Sequence, residues 1–126
     1  MSIFFTSDTH FGHANIIKYC DRPFSNLAEM DLELIKRWNS VVGEDDAVIH
    51  LGDFAFKSRP SFYAKRLNGS IILIEGNHDK ASQCRGLFDK VCKRLEIILG
   101  GYKVLLSHYP YSDSYDPVHD HKFKDR

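Results

Sequence analysis

The sequence predicts an α/β fold with a partly parallel sheet, and two observations carry that prediction. Short β-rich runs alternate with segments of helical period along the chain. Four of these runs also pass straight into metal-competent residues: Asp8 and His10, then Asp53, then Asn77 and His78, then His108. In α/β sheets, ligand sites gather beyond the carboxyl ends of strands, so residues scattered along the chain would converge in space.

Each element has its own signal. Ile3 to Ser7 is a β-rich run that ends at Asp8-Thr9-His10. Ala14 to Tyr19 can form a short helix. Leu27, Met30, Leu34, Ile35, Trp38 and Val41 recur at the helical period, Ser25 or Asn26 offers a cap, and acidic residues crowd the first turns. After the turn Gly43-Glu44-Asp45-Asp46, Ala47 to Leu51 reads as a second buried strand ending at Gly52-Asp53. Ser61 to Leu67 is a predicted helix closed by Asn68-Gly69, and Ile71 to Ile74 is a third strand ending at Gly76-Asn77-His78-Asp79. Arg94 to Leu99 and Tyr102 to Leu106 read as strands joined by a Gly100-Gly101 hairpin turn, the second ending at Ser107-His108.

Composition narrows the function classes. The 126 residues (14.5 kDa) suit one domain, and 43% hydrophobic content supports a core without a disulfide or metal staple. Seventeen basic residues balance seventeen acidic ones, so the charge signature of a duplex-binding module is missing. Apolar runs such as Ile71 to Ile74 are too short to cross a bilayer, and the start MSIFFTSDTH has no basic leader. Cys20, Cys84 and Cys92 are odd in number and form no Cys-x-x-Cys pair, so neither a disulfide framework nor a thiolate zinc site is expected. A cytoplasmic location with reduced thiols is the expectation.

The chemistry follows from the residue types at the strand ends. Asp, His and Asn suit Mn, Fe(II), Zn or Mg rather than soft-metal sites. Asp8 and His10 lie two apart, so in an extended chain they would face the same side. A carboxylate such as Asp53 can bridge a pair of cations held roughly 3.5–4 Å apart. Such a pair binds phosphoryl oxygens, lowers the pKa of a shared water and presents hydroxide for in-line attack on phosphorus. A histidine outside the ligand set can then stabilise or protonate the leaving group. Other phosphoryl-handling designs are absent: there is no Walker loop, no cysteine followed by Arg at phosphatase spacing, no Asp-x-Asp after the first strand and no Gly-x-Ser-x-Gly.

Asp8-Thr9-His10, Gly52-Asp53, Gly76-Asn77-His78-Asp79 and Ser107-His108, in this order and each after a predicted strand, resemble successive motifs of the calcineurin-like metallophosphoesterase superfamily. The resemblance runs from about Ile3 to Pro110, and the segment from Ser7 to Asn15 resembles small bacterial and phage phosphoesterases. It implies a sandwich of two mixed β-sheets flanked by helices. It also implies hydrolysis of a phosphoric ester, with a phosphomonoester, phosphodiester or nucleotide as substrate, at a dinuclear metal centre. Asp8 and His10 would bind one divalent ion, Asp53 would bridge, and Asn77 and His108 would bind the second. His78 would be the catalytic histidine near the leaving group, with Asp79 orienting it through a hydrogen bond. Two alternatives stand beside this: an inactive or non-catalytic metal-binding remnant of the fold, and a nuclease using the same two-metal chemistry.

The superfamily carries one further motif, Gly-His-x-His, whose histidines complete both coordination shells. Here the only His-x-His is His119-Asp120-His121, preceded by Val118. Either these histidines are the ligands in degenerate form, or they belong to a polar loop. No apolar strand leads into them, only eleven positions separate His108 from His119, and Asp120 to Arg126 is highly charged, all of which favours the loop. The expectation is a single domain over residues 1–126 that stops short of the final motif, with weakened metal binding, an exposed sheet edge and little activity. Four other positions stand out. His13 would touch substrate phosphate or cap the next helix, and His50 would be a packed core histidine or a partner to a ligand. Arg22 and Lys57 would neutralise substrate charge or lie on the solvated surface.

Overall fold

Four parallel strands form the main sheet in the order β1 (Ile3–Thr6), β2 (Ala47–His50), β3 (Ser70–Ile74) and β4 (Lys90–Cys92). A second, antiparallel sheet pairs β5 (Arg94–Leu99) with β6 (Tyr102–Ser107). The helices are α1 (Ile16–Tyr19), α2 (Leu27–Val41) and α3 (Pro60–Ala64). This computed structural model describes residues 1–56, 60–76, 79 and 86–109. The expected α/β architecture of two sheets flanked by helices is present; among the described residues one sheet is parallel and the other antiparallel.

The layering follows from strand periodicity. Along β2 and β3, Val48, Ile71 and Leu73 point to one face and pack with Phe11, Phe54 and Trp38, under the apolar sides of α2 and α3. Ile49 and Ile74 point to the other face, where they meet Leu106, with Ile72, Leu95, Ile97 and Val104 packed around them. The central strands β2 and β3 are therefore covered on both faces, as their nearly continuous apolar sequences require, whereas Ile3 and Phe5 on one face of β1 are exposed.

Local chemistry sets the element ends. The Asn26 side chain accepts the Glu29 amide at 2.9 Å, and the Glu29 carboxylate accepts the Ser25 amide at 3.0 Å, closing the start of α2. Within α2, Met30 and Trp38 are buried, and the indole N–H donates to the Asn68 carbonyl at 3.0 Å. Val41 departs from the expected stripe: it is exposed, because the helix ends there and the extended Val42 turns into the core instead. The hairpin is as expected. Leu99 pairs with Tyr102, and Gly100 (φ 55°) and Gly101 (φ 83°) both take the left-handed conformation of a two-residue turn. β4 was not foreseen, being only three residues long with Lys90 at its start and Lys93 just beyond it.

Leu73 has no exposed surface, whereas Ile98 is 72% exposed. Leu73→Ala should cost about 2–5 kcal/mol in urea unfolding, against roughly 0.5 kcal/mol or less for Ile98→Ala.

Candidate metal centre

The pairing of β1 with β2 does not stop where the strands stop. Leu51 N–H donates to the Thr6 carbonyl at 2.8 Å, Asp8 N–H to Gly52 at 2.8 Å, His10 N–H to Asp53 at 3.0 Å and Phe11 N–H to Phe54 at 2.9 Å. The two loops therefore run on in step, and Phe11 and Ala55 form a last parallel bridge. Within these loops Asp8 (φ 54°), His10 (φ 52°) and Asp53 (φ 55°) all adopt the left-handed conformation. Elsewhere among the described residues only Asp21 does so without being glycine. Strain of this kind concentrates at functional sites, where the surroundings over-determine it.

These three residues converge. Asp8, His10 and Asp53 each offer one ligand atom, all within 4.8 Å of one another. His10 Nε2 lies 3.5 Å from Asp8 Oδ1 and 3.6 Å from Asp53 Oδ2. From β6, His108 Nε2 lies 3.4 Å from the same Asp53 Oδ2. Such separations are long for hydrogen bonds but close to the ~3.0–3.4 Å expected between donors sharing a divalent ion at ~2.1 Å. The donor set of two carboxylates and two imidazoles also fits such an ion. His10 and Asp53 are buried, while the Asp8 side chain is half exposed and gives the cluster its open side.

The structure brings together these residues that the sequence singled out, but by a different geometry from the one expected for Asp8 and His10. They share a side through two left-handed turns, not through the alternation of an extended strand. Asn77, His78, His119, His121 and Lys57 lie outside the described residues.

The ring orientations suit metal binding. His108 Nδ1 lies 2.9 Å from the Leu51 carbonyl and donates to it, leaving the Nε2 lone pair towards Asp53. His10 Nδ1 faces His13 Nδ1 at 3.2 Å, so the edge of His10 opposite the carboxylates is also engaged. His13 is buried and stacks on Phe56 with ring centroids 4.0 Å apart. That places it against His10, in contact with a candidate ligand.

Two groups brace the loops from beneath. His50 is fully buried. Its Nδ1 accepts the Gly52 amide at 3.1 Å, so its proton sits on Nε2 and is donated to Thr9 Oγ1 at 3.0 Å. The Thr9 hydroxyl in turn donates a hydrogen bond to the Phe54 carbonyl at 2.8 Å. One neutral imidazole thus ties the Asp8–His10 turn to the Asp53 turn, and burial pushes its pKa from 6.5 down to about 3. Asp79 does the equivalent for the third loop. Its carboxylate accepts the amides of Asp53 at 2.7 Å, Phe54 at 2.9 Å and Gly76 at 2.8 Å. The contacts described for Asp79 are thus to backbone amides around Asp53. Sequence reasoning missed this bracing role, because nothing local to Asp79 signals amides 25 and 26 positions away. Arg22 is half-buried and donates to the carbonyls of Asp8 and Thr9.

A parallel sheet with carboxylates and imidazoles gathered beyond its strand ends defines an α/β protein built around a candidate divalent-metal centre. The chain belongs to the calcineurin-like phosphoesterase superfamily, whose domain profile matches residues 1–126. An uncharacterised protein of Methanocaldococcus jannaschii is 46% identical over 114 residues, covering 87% of this chain and 60% of its own length. The Gene 66 protein of Mycobacterium phage L5 is 34% identical, covering 97% of this chain and 67% of its own. A crystal structure of a protein of unknown function from Aquifex aeolicus superposes with a TM-score of 0.75 at 31% identity, covering 94% of this chain and 67% of the other. The chain thus spans about three-fifths to two-thirds of the length of these relatives. No helix among the described residues is long and apolar enough to cross a membrane.

Two outcomes follow from this geometry. A Cβ on Gly52, at φ 110°, would stand 2.5 Å from His108 Nδ1 and 2.9 Å from the Gly76 amide. Gly52→Ala should therefore displace His108 and lower Mn(II) affinity, read by calorimetric titration. His50 supplies a pH dependence whose sign is fixed. Between pH 6.5 and about 3 the unfolded chain takes up a proton that the folded imidazole refuses, so stability is lost as pH falls through that window. His50→Gln should flatten the stability profile there by up to about 1.4 kcal/mol per pH unit, measured by urea titrations at successive pH values.

Proposed function

We propose that the chain forms the core of a metal-dependent phosphoesterase that hydrolyses a phosphomonoester, phosphodiester or nucleotide at a dinuclear centre. The observation that carries this reading is the Asp53 carboxylate, whose Oδ2 faces His10 Nε2 on one side and His108 Nε2 on the other. On this reading Asp8 and His10 hold one ion, Asp53 is shared, and Asn77 and His108 hold the second. Mn, Fe, Zn and Mg all suit the oxygen and imidazole donors. Two divalent ions bound there supply Lewis acidity towards phosphoryl oxygens and a nucleophilic water at neutral pH.

The remaining steps belong to the chain. His108 keeps its proton on Nδ1, engaged with the Leu51 carbonyl, so its Nε2 is free to face Asp53, while His13 Nδ1 holds the Nδ1 edge of His10 and leaves the His10 Nε2 edge facing the carboxylates. The backbone ladder and the Asp79 carboxylate hold Asp53 at its left-handed turn, so the site need not reorganise as charge develops on phosphorus. His78 delivers the proton that the leaving alkoxide requires. The half-exposed Asp8 side chain marks the side from which a phosphate ester approaches. A cytoplasmic setting suits the three unpaired-in-pattern cysteines of the sequence.

Hydrolysis of a chromogenic phosphodiester with Mn(II), compared with single-stranded DNA, tests the reading and separates small esters from nucleic acid. Asp53→Asn should lower turnover by more than about 100-fold, beyond the roughly 10–100-fold loss seen for outer-shell partners. Turnover that survives both chelation and this substitution would sink the reading.

A further inference from the structure

Helix α1 ends in an unusual way, and the ending aims a cation at the site. Cys20 caps the helix, Asp21 takes the left-handed conformation (φ 48°), Asp21 N–H reaches back to the Lys18 carbonyl at 3.4 Å and Arg22 N–H to Ile17 at 2.9 Å. This is the paired-bond helix ending that normally uses glycine at the left-handed position. The turn folds Arg22 back towards the end of β1. Its Nη2 donates to the Asp8 carbonyl at 2.6 Å, and its Nη1 donates to the Thr9 carbonyl at 2.8 Å while lying 3.5 Å from Met30 Sδ of α2.

We propose that Arg22 is a positioning residue for the metal centre: its guanidinium grips two successive carbonyls and so locks the left-handed Asp8 turn that aims the Asp8 carboxylate beside His10 and Asp53. The proposal rests on the metal-centre reading above. Turning two neighbouring carbonyls towards one point brings their negative ends together, and a planar cation with two parallel donors relieves that repulsion. Among the described residues Arg22 forms no ion pair with a carboxylate, so its charge is directed to backbone oxygen and does not compete with a divalent ion for Asp8. Gly52 holds the other edge of the same turn through the Asp8 amide. Asp8 is thus held on one side by a neighbouring strand end and on the other by a cation from the α1–α2 connection. A lysine offers the same charge from one ammonium and lacks the fork, so it separates geometry from electrostatics.

The test is Mn(II) binding by the full chain, followed by calorimetry and by electron paramagnetic resonance, for wild type, Arg22→Lys, Arg22→Ala and the surface control Arg37→Lys. Arg22→Lys should lose about tenfold or more in Mn(II) affinity, the scale of an outer-shell partner, while its circular dichroism and melting temperature stay near wild type. Low-millimolar guanidinium, far below denaturing concentrations, should restore part of the Mn(II) affinity of Arg22→Ala. Arg37→Lys should bind as wild type does. If Arg22→Lys binds Mn(II) as tightly as wild type, or if both Arg22 variants fail to fold, Arg22 is not a positioning residue. A wild-type chain that binds no Mn(II) would instead overturn the metal-centre reading itself, and the role of Arg22 with it.

Discussion

Backbone hydrogen bonds that carry the β1–β2 pairing beyond both strands are the constraint on which the site depends. A parallel ladder normally ends where its residues leave the β region, and the chains then diverge. Here Asp8, His10 and Phe11 continue to donate to Gly52, Asp53 and Phe54, although Asp8, His10 and Asp53 have turned left-handed. The ladder keeps the loops in register while each left-handed residue swings its side chain out of the sheet. Candidate ligands more than 40 positions apart in sequence become neighbours without a long loop to order.

Side chains that take no part in the ligand cluster support this arrangement through the backbone. His50 is neutral and buried, and it links Thr9 to Gly52. Asp79 is a carboxylate that collects three amides around Asp53. Arg22 is a cation that collects two carbonyls around Asp8. Each matches the polarity of the group it holds, which is how left-handed turns with exposed amides and carbonyls avoid unsatisfied polar atoms. None of these contacts uses a ligand atom of Asp8, His10, Asp53 or His108. The core contributes as well: Phe54 and Phe11 pack with ring centroids 5.3 Å apart directly behind the turns.

Much of the site was legible because strand ends in an α/β fold are where side chains collect, and β1, β2 and β6 each run into an Asp or His. What escaped the sequence was contact across distance. Asp8 and His10 are two apart, a spacing that suggests an extended chain, yet only the partner loop reveals that both are left-handed. Arg22 looked like one more surface cation, since nothing beside it announces carbonyls 13 and 14 positions upstream. β4 carries too few residues for a periodic pattern, and its pairing with β3 is decided by the sheet it joins. Val41 fitted the helical stripe, but a helix end rotates the next residue inwards in a way that periodicity alone does not encode.

The His50 strut has one more consequence, for the order of assembly. Because the turns are set by the chain's own donors and acceptors, the candidate ligand cluster can be laid out by hydrogen bonds before any ion is bound, unlike the sites of small metal-dependent domains. An ion held there would meet solvent on the side where the Asp8 side chain is half exposed.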